Sequence, residues 1–189
     1  MELTVQELLI NSAQTIHAIA EKNSKQIVSI SNAIIDAYKN NKKLLVFGNG
    51  GSASDAQHLA AELVGRFQKE RRAYPAIALT TNTSILTSLA NDYSYEYVFE
   101  RQVDAFAKEG DIVIGISTSG TAKNVIAGLK KAKKKGAVTI GLTGEKGSSL
   151  KKICNICLMV PSDDTPRVQE SHITIIHIIC KLVEDALTK

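Results

Sequence analysis

The chain has 189 residues, 44% of them hydrophobic and 22% charged, the balance of an ordinary soluble domain with a sizeable core. A net charge of +4, 5% aromatic residues and no Trp argue against nucleic acid as a partner, because basic footprints and stacking platforms are both missing. No apolar run approaches membrane-spanning length and Met1–Glu7 lacks the basic start of a signal peptide, so a cytoplasmic protein with no membrane partner is expected.

Apolar residues at helical spacing from Val5 to Asn40 predict two N-terminal helices that part near Glu21–Ser24. His17 is expected on their polar side. The run Leu44–Phe47 has no polar alternation, as in a strand buried on both faces. It meets Gly48, Gly50 and Gly51, which permit a sharp turn and close backbone approach to a ligand. Ser52 or Ser54 is expected to cap the helix that follows, with Asp55 in its first turn. Strand, glycine turn and helix N-terminus together aim backbone N–H groups at an anion such as phosphate. The pattern is neither the Rossmann nor the P-loop motif, since no Lys follows the glycines. His58 and Glu62 lie four apart and share a helix face, a spacing found in plain solvated pairs as well as in functional ones.

Ala76–Thr81 predicts a second strand, followed by a short helix to Leu89, a turn at Asn91-Asp92 and a helix over Tyr95–Ala107. Asp111–Ile116 reads as the third strand. It runs into Ser117-Thr118-Ser119-Gly120-Thr121 and a helix over Ala122–Lys135, repeating the opening architecture. A Ser/Thr N-cap would need only one of these hydroxyls; the surplus fits a phosphate site. The lysines from Lys130 to Lys135 suit a helix C-terminus and predict a solvated face. Ala137–Leu142 and Ile156–Val160 read as the fourth and fifth strands. Cys154 and Cys157 form a lone C-x-x-C, too few thiolates for a zinc site, and three-residue spacing in a strand would send their side chains to opposite faces. The last helix, from Arg167 to about Leu187, carries Gln169, His172 and His177. Gln169 and His177 are two turns apart on one side, and the apolar neighbours of His177 suggest a core histidine. Alternating strands and helices, five strands in all, predict a doubly wound α/β sheet.

Three motifs now stand together: Gly48-Asn49-Gly50-Gly51-Ser52 through His58 and Glu62, Gly115-Ile116-Ser117-Thr118-Ser119-Gly120, and Arg167-Val168-Gln169-Glu170-x-His172-Ile173. They resemble the sugar isomerase (SIS) domain family and, within it, the bacterial phosphoheptose isomerases. The resemblance covers essentially the whole chain. It implies one SIS domain, a three-layer, doubly wound α/β fold with a five-stranded parallel sheet in flavodoxin-like order, with N-terminal helices over residues 1–40 and an α/β core over 41–189. It implies conversion of sedoheptulose 7-phosphate to D-glycero-D-manno-heptose 7-phosphate for lipopolysaccharide or capsule, in a homotetramer with sites between subunits. It further implies one zinc ion per subunit, held by His58, Glu62, Gln169 and His177, with Glu62 and His177 as the acid/base pair. Asn49, Gly50, Gly51, Ser52, Glu62, Asn91, Asp92, Ser117, Thr118, Ser119 and Gln169 match substrate-binding positions. Ala122 departs from the family's frequent second serine, and Thr121 offers the nearest replacement hydroxyl. The rival readings are a non-enzymatic relative that associates with the replication initiator, a sugar-phosphate-sensing regulator, and an isomerase for another sugar phosphate. The presence of both Glu62 and His177 favours the enzyme.

Overall fold

A computed structural model describes residues 1–188. Five parallel strands, β1 (Leu44–Gly48), β2 (Ala76–Ala78), β3 (Ile112–Ser117), β4 (Val138–Gly144) and β5 (Ile156–Val160), form one sheet in the order β2-β1-β3-β4-β5. Helices α1 (Glu2–Lys39), α2 (Gly51–Val64), α3 (Thr83–Asp92), α4 (Val98–Phe106), α5 (Lys123–Lys134), α6 (Ser148–Ile153) and α7 (Thr165–Leu187) cover it. This is the expected flavodoxin-like order.

Strand alternation sorts the core into two layers. Leu44, Val46, Ile112 and Ile114 face a cluster with Ile30 and Ile34 of α1, Leu59 and Leu63 of α2, and Ile175 and Ile179 of α7. Leu45, Phe47 and Val113 face the other side, against Phe99 and Val103 of α4 and Val125 and Leu129 of α5. Every residue of β1 and β3 is buried, which explains their uninterrupted apolar runs.

Several local expectations are corrected. The N-terminal segment is one helix of 38 residues, not two. Glu21–Ser24 is polar but contains no Gly or Pro to break the helix. Asn23 in that stretch is buried, and its amide donates to the Met159 carbonyl of edge strand β5 at 3.3 Å. The second strand stops at Ala78, because Thr81 Oγ1 turns back to the Ala78 carbonyl at 3.2 Å. Asn91 and Asp92 end α3 instead of forming a separate turn, and the next helix opens with a 3-10 turn over Tyr95–Tyr97. Cys154 precedes β5, so both sulfurs lie over Gly141 and not on opposite faces: they fall 3.1 and 3.4 Å from where a Cβ would stand there. Burial pushes these free thiols up to about 12 and 11.

Candidate active site

The two Gly/Ser turns leave the carboxyl ends of β1 and β3, which are hydrogen-bonded neighbours with Gly48 opposite Ile116. Strand order reverses between these two strands, so the crevice above them is the expected ligand position. In the first turn Gly50 takes φ 55° and is itself the N-cap of α2. Neither Ser52 nor Ser54 caps the helix, and Asp55 lies beyond its first turn. Gly51 lies against Gln169 of α7: a Cβ there would stand 2.5 Å from Nε2, so any side chain at this position would displace the Gln169 amide. Asn49 and Asn124 exchange two amide hydrogen bonds, each 2.9 Å, and Tyr95 Oη donates to Asn49 Oδ1 at 3.3 Å. That pairing ties the first turn to α5.

The second turn settles the question of capping. Ala122 is the N-cap of α5 and offers no side-chain bond, so the hydroxyls before it are not spent on the helix. Ser117 Oγ accepts from the Gly120 N–H at 3.2 Å, while Ser119 Oγ and Thr121 Oγ1 lie 2.9 Å apart on the surface. The Thr118 carbonyl accepts from Gly144 N–H at 2.9 Å, pinning the turn to the end of β4.

On α2, His58 Nε2 is 3.0 Å from Glu62 Oε1. From α7, His177 brings its Nε2 to 3.4 Å from His58 Nε2, and their rings meet edge-on at 5.0 Å. One ligand atom from each of His58, Glu62 and His177 lies within 4.8 Å of the others. Two ring nitrogens and a carboxylate oxygen thus converge with at most one proton between the two facing nitrogens. A divalent cation relieves that crowding of lone pairs, and neutral imidazoles plus a carboxylate suit zinc. These residues fit a metal.

The model of the SIS domain matches residues 9–144. A phosphoheptose isomerase from Aquifex aeolicus is 54% identical over 181 residues, covering 96% of this chain and 95% of that one. The solved phosphoheptose isomerase of Neisseria gonorrhoeae superposes with TM-score 0.93 at 36% identity, over 97% of this chain and 98% of that one. That of Francisella tularensis gives 0.94 at 33% identity, over 98% and 99%. The chain belongs to the SIS domain family.

Within this SIS domain the structure joins His58, Glu62 and His177 directly and sets Gln169 over Gly51. His177 is half-buried and in the cluster, contrary to its reading as a core histidine; that role falls to His172, which is fully buried. Neither ring nitrogen of His172 has a partner among the described residues, and burial lowers its pKa to about 4 against the pull of the Thr143 carbonyl. Asn91 and Asp92 bond each other at 2.9 Å at the exposed end of α3, and no hydrogen bond among the described residues joins them to the His/Glu cluster. Asp55, expected only as a first-turn residue of α2, is instead part-buried near His58. Burial pushes it up to about 6, with His58 pulling it down, and its Oδ2 has no partner. Phe67 was missed: its ring lies 5.7 Å from that of His177. Nothing in spacing pointed to it, because it reaches the site from the loop after α2.

Proposed function

We propose that this SIS enzyme interconverts sedoheptulose 7-phosphate and D-glycero-D-manno-heptose 7-phosphate through an enediol, supplying heptose for lipopolysaccharide or capsule. One observation carries the reading: a carboxylate and an imidazole 115 positions apart in sequence meet in one cluster, on a chain that also carries a hydroxyl-rich turn at the sheet's switch point. The phosphoheptose isomerase relatives supply the substrate.

Aldose–ketose exchange needs a base for the proton beside the carbonyl and an acid at the carbonyl oxygen. Glu62 Oε1 is engaged with His58, which leaves Oε2 for the substrate. Glu62 takes a proton from C1 of the ketose, and His177 gives a proton to O2, forming the enediol. Glu62 then returns its proton to C2 while His177 recovers one from O1, leaving the C1 aldehyde. Atoms balance, and each group ends as it began. Ser117, Thr118, Ser119 and the first amides of α5 hold the phosphate, with Thr121 replacing the hydroxyl absent at Ala122. Asn49, Gly50, Gly51, Ser52, Asn91, Asp92 and Gln169 complete the sugar site.

Zinc is the metal we assign, with His58, Glu62, Gln169 and His177 to hold it; when bound it polarises the substrate's carbonyl and hydroxyl oxygens. We further infer a homotetramer. The first half of α1 exposes Leu3, Leu8, Leu9 and Ile10, and an apolar groove between α1 and α7 is lined by Ile16, Ile19, Ile27, Ile175, Ile178 and Leu182. Such contiguous apolar surface is a mark of an interface. Assembly would also give the exposed Asn91-Asp92 pair a neighbouring site to serve. Incubation of the purified protein with sedoheptulose 7-phosphate, with and without a chelator, tests the reading: the aldose phosphate must appear.

A further inference from the structure

The loop after α2 carries a buried ion pair that the chemistry above does not use. Arg71 Nε lies 3.1 Å from Glu184 Oε1, and the two side chains are 3% and 1% exposed. Arg71 Nη2 donates to the carbonyl of Glu62 at 2.7 Å, and Nη1 donates to those of Leu63 and Gly65 at 3.0 and 3.1 Å. The Glu62 and Leu63 carbonyls lie in the last turn of α2, where intrahelical partners run out, and the Leu63 carbonyl also accepts the Tyr74 N–H at 3.0 Å. Glu184 in turn accepts the N–H groups of Phe67, Gln68 and Lys69 at 3.0, 2.8 and 2.9 Å. Burial alone would raise its pKa; those three amides and Arg71 outweigh it and hold the carboxyl below its usual range.

One ion pair therefore grips three things. It holds the helix end at Glu62 through that residue's own carbonyl. It fixes the loop that sets Phe67 against the His177 ring. It is rooted in α7, seven residues beyond His177, on the helix that carries the imidazole. Buried ion pairs seldom repay their desolvation in stability. Geometry is the better account of this one, since α2 and α7 bring the two reacting groups from distant parts of the chain.

We propose that Arg71 and Glu184 are positioning residues that set the separation between the Glu62 carboxylate and the His177 imidazole. The kinetic consequence rests on the isomerase reading; the geometric one does not. Arg71→Lys keeps the charge but not the fork that spans the end of α2. Glu184→Gln keeps the shape but places an NH2 group among N–H donors. Phe67→Leu leaves the pair intact and removes the contact with His177.

The test uses the full chain at a temperature where circular dichroism shows each variant folded. With sedoheptulose 7-phosphate, kcat is expected to fall about ten- to hundredfold in Arg71→Lys and Glu184→Gln, the effect of roughly an ångström of misplacement. KM is expected to stay within about twofold, because the phosphate turn is untouched. In parallel, ring carbon–proton NMR signals of the metal-free protein are recorded; with only four histidines they are assignable by single substitution. His58 and His177 should shift in both variants while His17 does not, and Phe67→Leu should shift His177. If Glu184→Gln does not fold, Arg71→Lys and Phe67→Leu decide the matter. Unmoved His58 and His177 signals in folded Arg71→Lys overturn the proposal, whatever the rates. A wild-type protein that makes no aldose refutes the isomerase reading alone, and the ring signals still judge the clamp.

Discussion

His172 and Asp55 make opposite demands on stability as pH changes, and the difference is measurable. His172 is fully buried with both ring nitrogens unpartnered, and its pKa falls from 6.5 to about 4 on folding. Between those values the unfolded chain binds the proton and the folded chain does not, so stability is lost as pH drops through the window. Integrated from pH 7 to pH 5, the loss is about 2 kcal/mol. Asp55 runs the other way. Its pKa rises from 3.8 to about 6, so the folded chain holds the extra proton and stability grows on acidification. That gain is at most about 1 kcal/mol over the same interval, because the side chain is only part-buried and solvent screens it. The two effects therefore partly cancel in the parent protein. His172→Leu removes one of them and relieves an unsatisfied buried imidazole. Relative to the parent, its stability at pH 5 minus that at pH 7 should rise by about 2 kcal/mol. Glu184 and the other carboxylates titrate in both proteins and drop out of the comparison. Urea unfolding at both pH values, at one fixed protein concentration, measures the difference. Equal pH dependence in parent and variant would refute an uncharged buried His172.

Glu62→Gln and His177→Ala should each lower kcat by about 10²–10⁴-fold, the worth of positioned acid–base groups, with far-ultraviolet circular dichroism unchanged. Ser119→Ala removes a hydroxyl that the helix does not use; substrate affinity should weaken by about 1.5–3 kcal/mol, read as a higher KM with unchanged thermal stability. Gly51→Ala should mimic Gln169→Ala in kcat/KM, since the new methyl displaces the Gln169 amide. Zinc added to the metal-free protein should raise the melting temperature, and His58→Ala should abolish that rise; a parent-like rise in the variant would remove His58 from the ligand set.

The parts of the fold legible in the sequence are those in which burial and chain direction coincide. β1 and β3 show as apolar runs because both faces of each are covered, and β5 spans the Ile156–Val160 that its apolar run predicts. Polarity at Glu21–Ser24 predicts a break that the helix does not have, because Asn23 is polar for the sake of a carbonyl at the sheet edge. Ser52 and Ser54 resemble caps of α2 in sequence but do not serve as caps. A glycine at φ 55° starts that helix unaided, which propensity cannot reveal.

The candidate site divides along the same line. Each turn and the His58/Glu62 pair are local in sequence, so their spacing exposed them. Joining His177 to that pair required a contact across 119 positions, and apolar neighbours on α7 pointed towards the core instead. The helix does bury a histidine there, but it is His172, five residues earlier. Five residues at about 100° each turn a helix through 500°, or 140° net, which carries His177 from the sheet-facing side to the flank that meets α2. Strand order then supplies what periodicity lacks. With β1 beside β3, both glycine turns open into one crevice, and α7, returning over that layer, delivers an imidazole to the carboxylate of α2. The meeting of that imidazole with that carboxylate is thus set by topology before any side chain is chosen.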